Sequence, residues 1–214
     1  MKITNIKSYV LEHDLGEELG YSQQYYHKRS AHLVEIQTDA GIIGWGECFG
    51  PGNVAVANKC IVEKVIQPLI IGYDPLNREV IWHRVYNLLR DHGQKGMVLQ
   101  ALSGIDIALW DIGGKISGQS ISKMIGGRHR EKVAVYGYGM MLRNEDINSL
   151  TSRFAEEAAS IKKSGYVATK MKIGLGIDKD LKLAEAVRKG IGDDFKFMVD
   201  ANHCYTSGDA LYVG

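Results

Sequence analysis

An α+β domain followed by parallel β/α units is the fold that the 214-residue sequence predicts. Three observations carry that prediction. Residues up to about 130 read as strands and then helices. From Lys132 onward strand and helix alternate, which is the grammar of parallel strands with helical crossovers. The change of grammar falls on a polar, glycine-bearing junction, Gly126-Gly127 to Glu131. The boundaries are therefore 1–130 for the first domain and 131–214 for the second.

In the first domain, residues 3–11 are rich in β-formers. Residues 32–38 alternate apolar and polar, Asp39-Ala40-Gly41 is a turn, and residues 42–47 return as the second strand of a hairpin. Residues 13–30 are polar, with Gly16, Gly20 and a tyrosine group at Tyr21, Tyr25 and Tyr26; they read as a long loop, a kind that is usually functional or disordered. Three helices follow. Residues 53–69 place Val54, Ala57, Ile61, Val65 and Leu69 on one face. Residues 75–90 have Pro75 near their start. Residues 97–116 are apolar on most sides, as expected of a helix buried between layers.

The second domain opens with a strand at 133–138 and a helix at 147–163, whose apolar face is Leu150, Phe154, Ala158 and Ile161. A strand at 168–173, a helix from 178 to 189 capped by Asp178, and a strand at 195–200 complete the alternation. Thr206-Ser207-Gly208-Asp209 reads as another helix start. A doubly wound sheet and a β/α barrel both fit this half. A barrel takes about 250 residues, so on that reading roughly five of its eight units are absent.

Composition narrows the function classes. Hydrophobic residues make up 45% and charged residues 24%, enough apolar material for a sizeable core. A formal net charge of +1 gives no electrostatic case for nucleic acid or a membrane surface. The three cysteines, Cys48, Cys60 and Cys204, are odd in number and have no C-x-x-C spacing, which argues against a disulfide framework or structural zinc and for a reducing cytoplasm. The N-terminus lacks a signal-peptide core, and no apolar run nears the roughly 18 residues that span a bilayer.

In parallel β/α folds, reactive groups gather at the C-terminal ends of strands. One strand carries Lys170 and Lys172. Two apart, they project from one face, where two ammonium groups repel and lower each other's pKa, so that one can serve as a base. The alternative is a strand end with two solvated lysines. The next strand ends in Asp200, with Asn202 on the same face. These are hard oxygen donors of the kind Mg²⁺ takes, although Asp and Asn are also common turn and capping residues. Lysines on one strand and a carboxylate on the next suit removal of a proton α to a carboxylate, with a cation stabilising the enediolate.

Several other motifs carry less. Gly174-Leu175-Gly176 follows a strand, but Lys179 stands where a dinucleotide fingerprint needs a third glycine, and no P-loop occurs. Arg128-His129-Arg130 reads as a solvated turn. His203 has the opposite strand parity to Asp200, so it is expected to point away from a metal and to be packed or hydrogen-bonded. Asp106 and Asp111 read as partners of backbone or arginine groups.

Longer stretches of the sequence are more specific. Residues 38–47 (Thr-Asp-Ala-Gly through Gly-Trp-Gly-Glu), residues 101–111 continuing to Gly114-Lys115, Ile125-Gly126-Gly127, Lys170-Met171-Lys172 and Val199-Asp200-Ala201-Asn202 occur in this order. In them the chain resembles the mandelate racemase/muconate lactonizing branch of the enolase superfamily. The resemblance implies an α+β capping domain followed by the first three β/α units of a modified TIM barrel, in a truncated chain. It implies that Lys172 is the base, that Lys170 tunes it and contacts the substrate carboxylate, and that Asp200 is the first of three Mg²⁺ ligands, with Asn202 behind it. It also implies that Tyr21, Tyr25 and His27 lie in a segment that closes over the substrate, with the 47–53 loop adding to that cap and excluding water.

Within the branch, the flavour of Trp45-Gly46-Glu47-Cys48, Gly50-Pro51, residues 90–96 and Ala201-Asn202-His203 is that of D-galactarolactone cycloisomerases. The implied reaction is Mg²⁺-dependent opening of a sugar-acid lactone by α-proton abstraction and β-elimination. The alternatives are an acid-sugar dehydratase, a racemase or epimerase, or, from another class, a catalytically inactive fragment or assembly module. The implied partner is a small sugar acid or lactone, with a homo-oligomeric parent. The family's remaining metal ligands and second acid/base are expected beyond Gly214.

Overall fold

The computed structural model describes all residues, 1–214. The chain divides into two compact units, one formed by residues 1–14 and 28–129 and the other by residues 15–27 and 130–214.

The first unit is a three-stranded sheet with helices packed on it. The sheet's strands are β1 (Ile3–Tyr21), β2 (Gln24–Thr38) and β3 (Ile43–Cys48), in that spatial order, and residues 15–27 at the β1–β2 hairpin tip belong to the second unit. β2 and β3 form the expected antiparallel hairpin, with Val34 opposite Gly46 and Ile36 opposite Gly44. β1 and β2 are far longer than their hydrophobic patterning suggested. Residues 13–30, expected to be a loop, are two strands joined by a turn at Ser22 and Gln23. The reason is that backbone pairing holds them. Most side chains between 9 and 30 stay exposed or half-buried, so no buried face stamps a period of two on the sequence.

The helices are α1 (Asn53–Cys60), a π-helical turn at Ile61–Ile66, α2 (Gln67–Ile70), α3 (Arg78–Leu89), α4 (Met97–Ser117) and the short α5 (Ile121–Met124). α3 starts after Pro75, with Asn77 at its N-cap, so Pro75 lies outside the helix. α4 packs on β3. Gly44, Gly46 and Cys48 alternate toward it and are buried, while Trp45 and Glu47 face out. A Cβ on Gly46 would collide with the Gly104 carbonyl, and one on Gly44 with that of Ala108. Paired glycines are what let a helix backbone approach a strand this closely. Val34, Ile36, Ile81, Val85, Leu102, Ile105, Leu109 and Ile112 fill the surrounding core. Each large aliphatic side chain fully buried contributes about 1.5–3 kcal/mol. Asp111 accepts the Trp45 N–H at 2.8 Å and pairs with Lys115 at 2.6 Å, the expected backbone role.

One of the buried polar positions is a histidine. His32 on β2 is fully buried, and neither ring nitrogen has a hydrogen-bond partner. Burial pushes its imidazole pKa down; the Lys59 ammonium adds to this and Glu63 opposes it. A depressed folded-state pKa means that the unfolded chain takes up the proton first as pH falls. Stability is therefore expected to be full above about pH 6.5 and to fall as the pH drops toward 5, by at most about 1.4 kcal/mol per pH unit, the slope of one proton. Urea unfolding at pH 7 and pH 5.5 measures this, and His32→Leu should flatten the difference. An unchanged difference in His32→Leu would exclude His32 as its source.

The second unit contains β4 (Gly137–Tyr138), α6 (Ile147–Lys163), β5 (Ala168–Lys172), α7 (Ile177–Ile191), β6 (Lys196–Asp200) and α8 (Ser207–Val213). The strands are parallel in the order β4-β5-β6. α6 and α7 bury Leu150, Phe154, Ala158, Leu183, Val187 and Ile191 against Met171 and Ile173. Three expectations need correction. Only Gly137 and Tyr138 of the 133–138 segment pair as strand, and Val133 and Val135 are exposed at 71% and 61%; β-branched alternation makes a strand only where a ladder partner exists. α7 is capped by Gly176, with Asp178 inside its first turn. His203 is exposed rather than packed, because it sits with Asn202 in a left-handed turn after β6. The start of α8 is as expected, a capping box between Thr206 and Asp209. No helix is long and apolar enough to cross a membrane.

Candidate active site

The parallel register does most of the assembly in the second unit. Lys172 stands opposite Asp200, and Lys170 opposite both Tyr138 and Met198. One carboxylate oxygen, Asp200 Oδ2, accepts from Lys172 Nζ at 2.8 Å and from Lys170 Nζ at 3.2 Å. Lys172 Nζ also donates to Asn202 Oδ1 at 2.5 Å. The Lys172 side chain is only 8% exposed, against 22% for Lys170, so Lys172 is the more enclosed of the two.

Asn202 reaches this cluster by a turn rather than by strand parity. β6 ends at Asp200, Asn202 has φ 45°, and its N–H donates to Asp200 Oδ1 at 3.1 Å. Asparagine tolerates this left-handed conformation better than most residues. The backbone under Lys172 is braced as well. Lys172 N–H donates to the Met140 carbonyl at 3.2 Å, and Met140 N–H donates to Glu157, which Arg153 pairs at 2.7 Å.

The electrostatics differ from expectation in one respect. Lys170 is not lowered by its neighbour. Burial lowers the Lys170 ammonium, but its bond to Asp200 and that carboxylate's charge outweigh burial and hold it above the ordinary lysine value. The Lys172 hydrogen bond, helped by the Asn202 N–H and by Lys170 and opposed by burial, holds the Asp200 carboxyl at about 2. The carboxylate shared between the two ammonium groups is the physical reason.

Two aromatic residues of the cluster were not singled out in the sequence. Lys170 Nζ lies 5.1 Å from the Tyr138 ring centre and 5.5 Å from that of Tyr136, and Lys172 Nζ lies 5.7 Å from Tyr138, distances at which a ring face attracts a cation. The signal was present: Tyr136 and Tyr138 share one face of the segment that ends beside Lys170. Of the residues assigned to the closing segment, Tyr21 meets the cluster, its ring centre 5.9 Å from Lys172 Nζ. Tyr25 packs its ring against Gly20, and His27 pairs with Glu18 at 3.3 Å, both within the hairpin. The hairpin tip spans the strand ends of this unit. Gly20 and Leu142 exchange two backbone hydrogen bonds at 2.8 and 3.0 Å, and Ser22 Oγ donates to the Ala201 carbonyl at 2.8 Å.

No group of three His, Cys, Asp or Glu side chains could hold a metal ion. The oxygens of Asp200 and Asn202 nevertheless fit a hard cation, which commonly takes one or two carboxylates and fills its remaining positions with water and substrate.

The chain is similar to known proteins over its whole length. Residues 17–126 match the family "Mandelate racemase / muconate lactonizing enzyme, N-terminal domain", and residues 153–214 match "Enolase C-terminal domain-like". The chain is 44% identical over 214 residues to D-galactarolactone cycloisomerase of Agrobacterium fabrum, covering 100% of this chain and 55% of that one. It is 33% identical to arabinonate dehydratase of Saccharolobus solfataricus, covering 88% and 49%. The crystal structure of N-succinyl Arg/Lys racemase from Bacillus cereus superposes with a TM-score of 0.84 at 32% identity, covering 100% of this chain and 56% of that one. The chain thus spans about half the length of the relatives it matches.

Proposed function

Because the chain belongs to the mandelate racemase/muconate lactonizing group of the enolase superfamily, we propose that its whole protein removes the proton α to the carboxylate of a sugar acid and eliminates the β-oxygen, opening a lactone. The observation that carries this reading is the Lys172–Asp200–Asn202 cluster at adjacent strand ends, with Lys170 beside it. The 44% identity to a D-galactarolactone cycloisomerase favours the lactone over other sugar acids.

Each residue has a distinct part. Lys172, nearly buried and held by Asn202, is the base that takes the α-proton at Nζ. Lys170, more exposed, binds the substrate carboxylate and keeps a positive charge beside its base partner. Tyr136 and Tyr138 limit where the Lys170 ammonium can go. Asp200 would contribute oxygen to Mg²⁺, with Asn202 behind it, and the bound cation would supply positive charge to the enediolate. The hairpin tip with Tyr21 covers the strand ends and excludes water. The protein would work in the cytoplasm, as a homo-oligomer, on a small molecule.

The test uses protein expressed from its complete reading frame, a panel of sugar-acid lactones and aldarates, and D₂O. Product NMR is expected to show lactone opening to an α-keto acid with one deuterium at the β-carbon, where the enol left by elimination takes up its proton. Elimination of water from an open-chain acid would instead make it a dehydratase, as in the arabinonate relative. Absence of both α-exchange and elimination product with every compound, in protein that binds Mg²⁺, would refute proton abstraction.

A further inference from the structure

The cluster depends on two turns whose shapes are not ordinary, and both are fastened to one buried side chain. Asp180, on the first turns of α7, is 1% exposed. Its Oδ2 accepts the Gly174 N–H at 2.8 Å, its Oδ1 accepts the Leu175 N–H at 3.1 Å, and the Tyr205 hydroxyl donates to Oδ2. Gly174 and Leu175 lie in the turn that leaves β5 just after Lys172. Tyr205 lies just after the turn that leaves β6 and carries Asn202. A buried carboxylate is costly without partners, and these three donors come from both turns at once.

The second turn needs such support. Asn202 and His203 are consecutive non-glycine residues at φ 45° and 69°, a strained arrangement that persists only where the surroundings over-determine it. Inside the turn, the Cys204 N–H donates to the Ala201 carbonyl at 3.2 Å, which closes it. The Tyr205 hydroxyl is its tie to the neighbouring β/α unit. The turns also approach each other closely. Gly174, at φ +119°, leaves room for both Ser22 and Cys204, and a Cβ there would strike them.

We propose that Asp180 and Tyr205 form a buried clamp that sets the reach between Lys172 and Asn202, making both positioning residues for the proton-transfer site. The clamp touches no reacting atom and acts through the backbone of residues 173–176 and 201–205. Its catalytic consequence rests on the proton-abstraction reading above, whereas its structural consequence does not.

The decisive variant is Tyr205→Phe, which deletes one hydroxyl and leaves the Asp180 bonds to Gly174 and Leu175 intact. Tyr212→Phe, at a tyrosine 73% exposed on α8, is the control. In metal-free, 15N-asparagine-labelled protein from the complete reading frame, Tyr205→Phe is expected to shift the Asn202 side-chain amide resonances, while Tyr212→Phe does not. In α-proton exchange, kcat should fall about tenfold or more with KM changed less than about threefold, the mark of a misplaced reacting group. Asp180→Asn, which keeps an acceptor for the two N–H groups, should lower kcat in the same sense. Unmoved Asn202 resonances in Tyr205→Phe would overturn the clamp. So would moved resonances with kcat unchanged in an active protein. If the wild type shows neither exchange nor elimination product, the functional reading fails, and the Asn202 resonances alone then decide the clamp.

Discussion

Lys172→Ala is expected to reduce α-proton exchange in D₂O by about 10³-fold, within the range a positioned acid or base contributes, while leaving Mg²⁺ affinity within a few-fold. The geometry separates these two effects. Lys172 Nζ is the ammonium held by two acceptors, Asp200 and Asn202, in a nearly buried position. Removing it takes away the group placed to accept a proton. The oxygens offered to the cation remain, and Asp200 keeps two donors, Lys170 Nζ and the Asn202 N–H. No buried charge is stranded, so the fold should survive and the melting temperature should move little. Lys170→Ala provides the contrast. Its ammonium is more exposed and lies near two tyrosine rings, so its loss should raise KM more than it lowers kcat. Undiminished exchange in Lys172→Ala would remove this lysine from the mechanism, whatever the substrate proves to be.

How much of this was legible in the sequence depends on what holds each element. α6 and α7 bury one face each, and burial writes a period into the residues. Leu150, Phe154 and Ala158 are legible in the sequence as one face of α6 for this reason. The strands between residues 13 and 30 are held by backbone pairing with little burial, and backbone pairing leaves no compositional trace, so polar residues and glycines read as a loop. The π-helical turn at Ile61–Ile66 is equally silent, because widening one turn preserves the apolar face. At the site, Lys170, Lys172 and Asp200 were legible because strand ends are few and their residue types are chemically pointed. The fine structure was not. Asn202 arrives by a left-handed turn, and the role of Asp180 depends on two turns that only the fold brings together. The protonation balance was misjudged for a related reason. A lysine pair read alone repels, and only the register that sets Lys172 opposite Asp200 shows a carboxylate shared between them.

The same logic yields the largest expected effect on stability, at a residue with no chemistry. Gly46→Val should destabilise the first unit by about 3 kcal/mol or more, at or above the upper end of ordinary overpacking. Strand propensity argues the other way, since valine is favoured in a strand and glycine is not. The decision goes to packing, because the atom a Cβ would meet is the Gly104 carbonyl oxygen, with the Ala108 nitrogen close behind. Backbone atoms of a helix cannot rotate aside as a side chain can. The clash is relieved only by lifting α4 off β3, which opens the contacts of Ile105, Leu109 and Ile112 as well. Glu47→Ala, one residue on and facing out, should change stability by less than about 0.5 kcal/mol. Tryptophan emission during urea unfolding is the appropriate measurement. All three tryptophans, Trp45, Trp82 and Trp110, lie in the first unit, so the signal reports that unit alone. A Gly46→Val midpoint equal to that of the wild type would mean that α4 can shift at no cost, and that the glycines of β3 reflect something other than the approach of the helix.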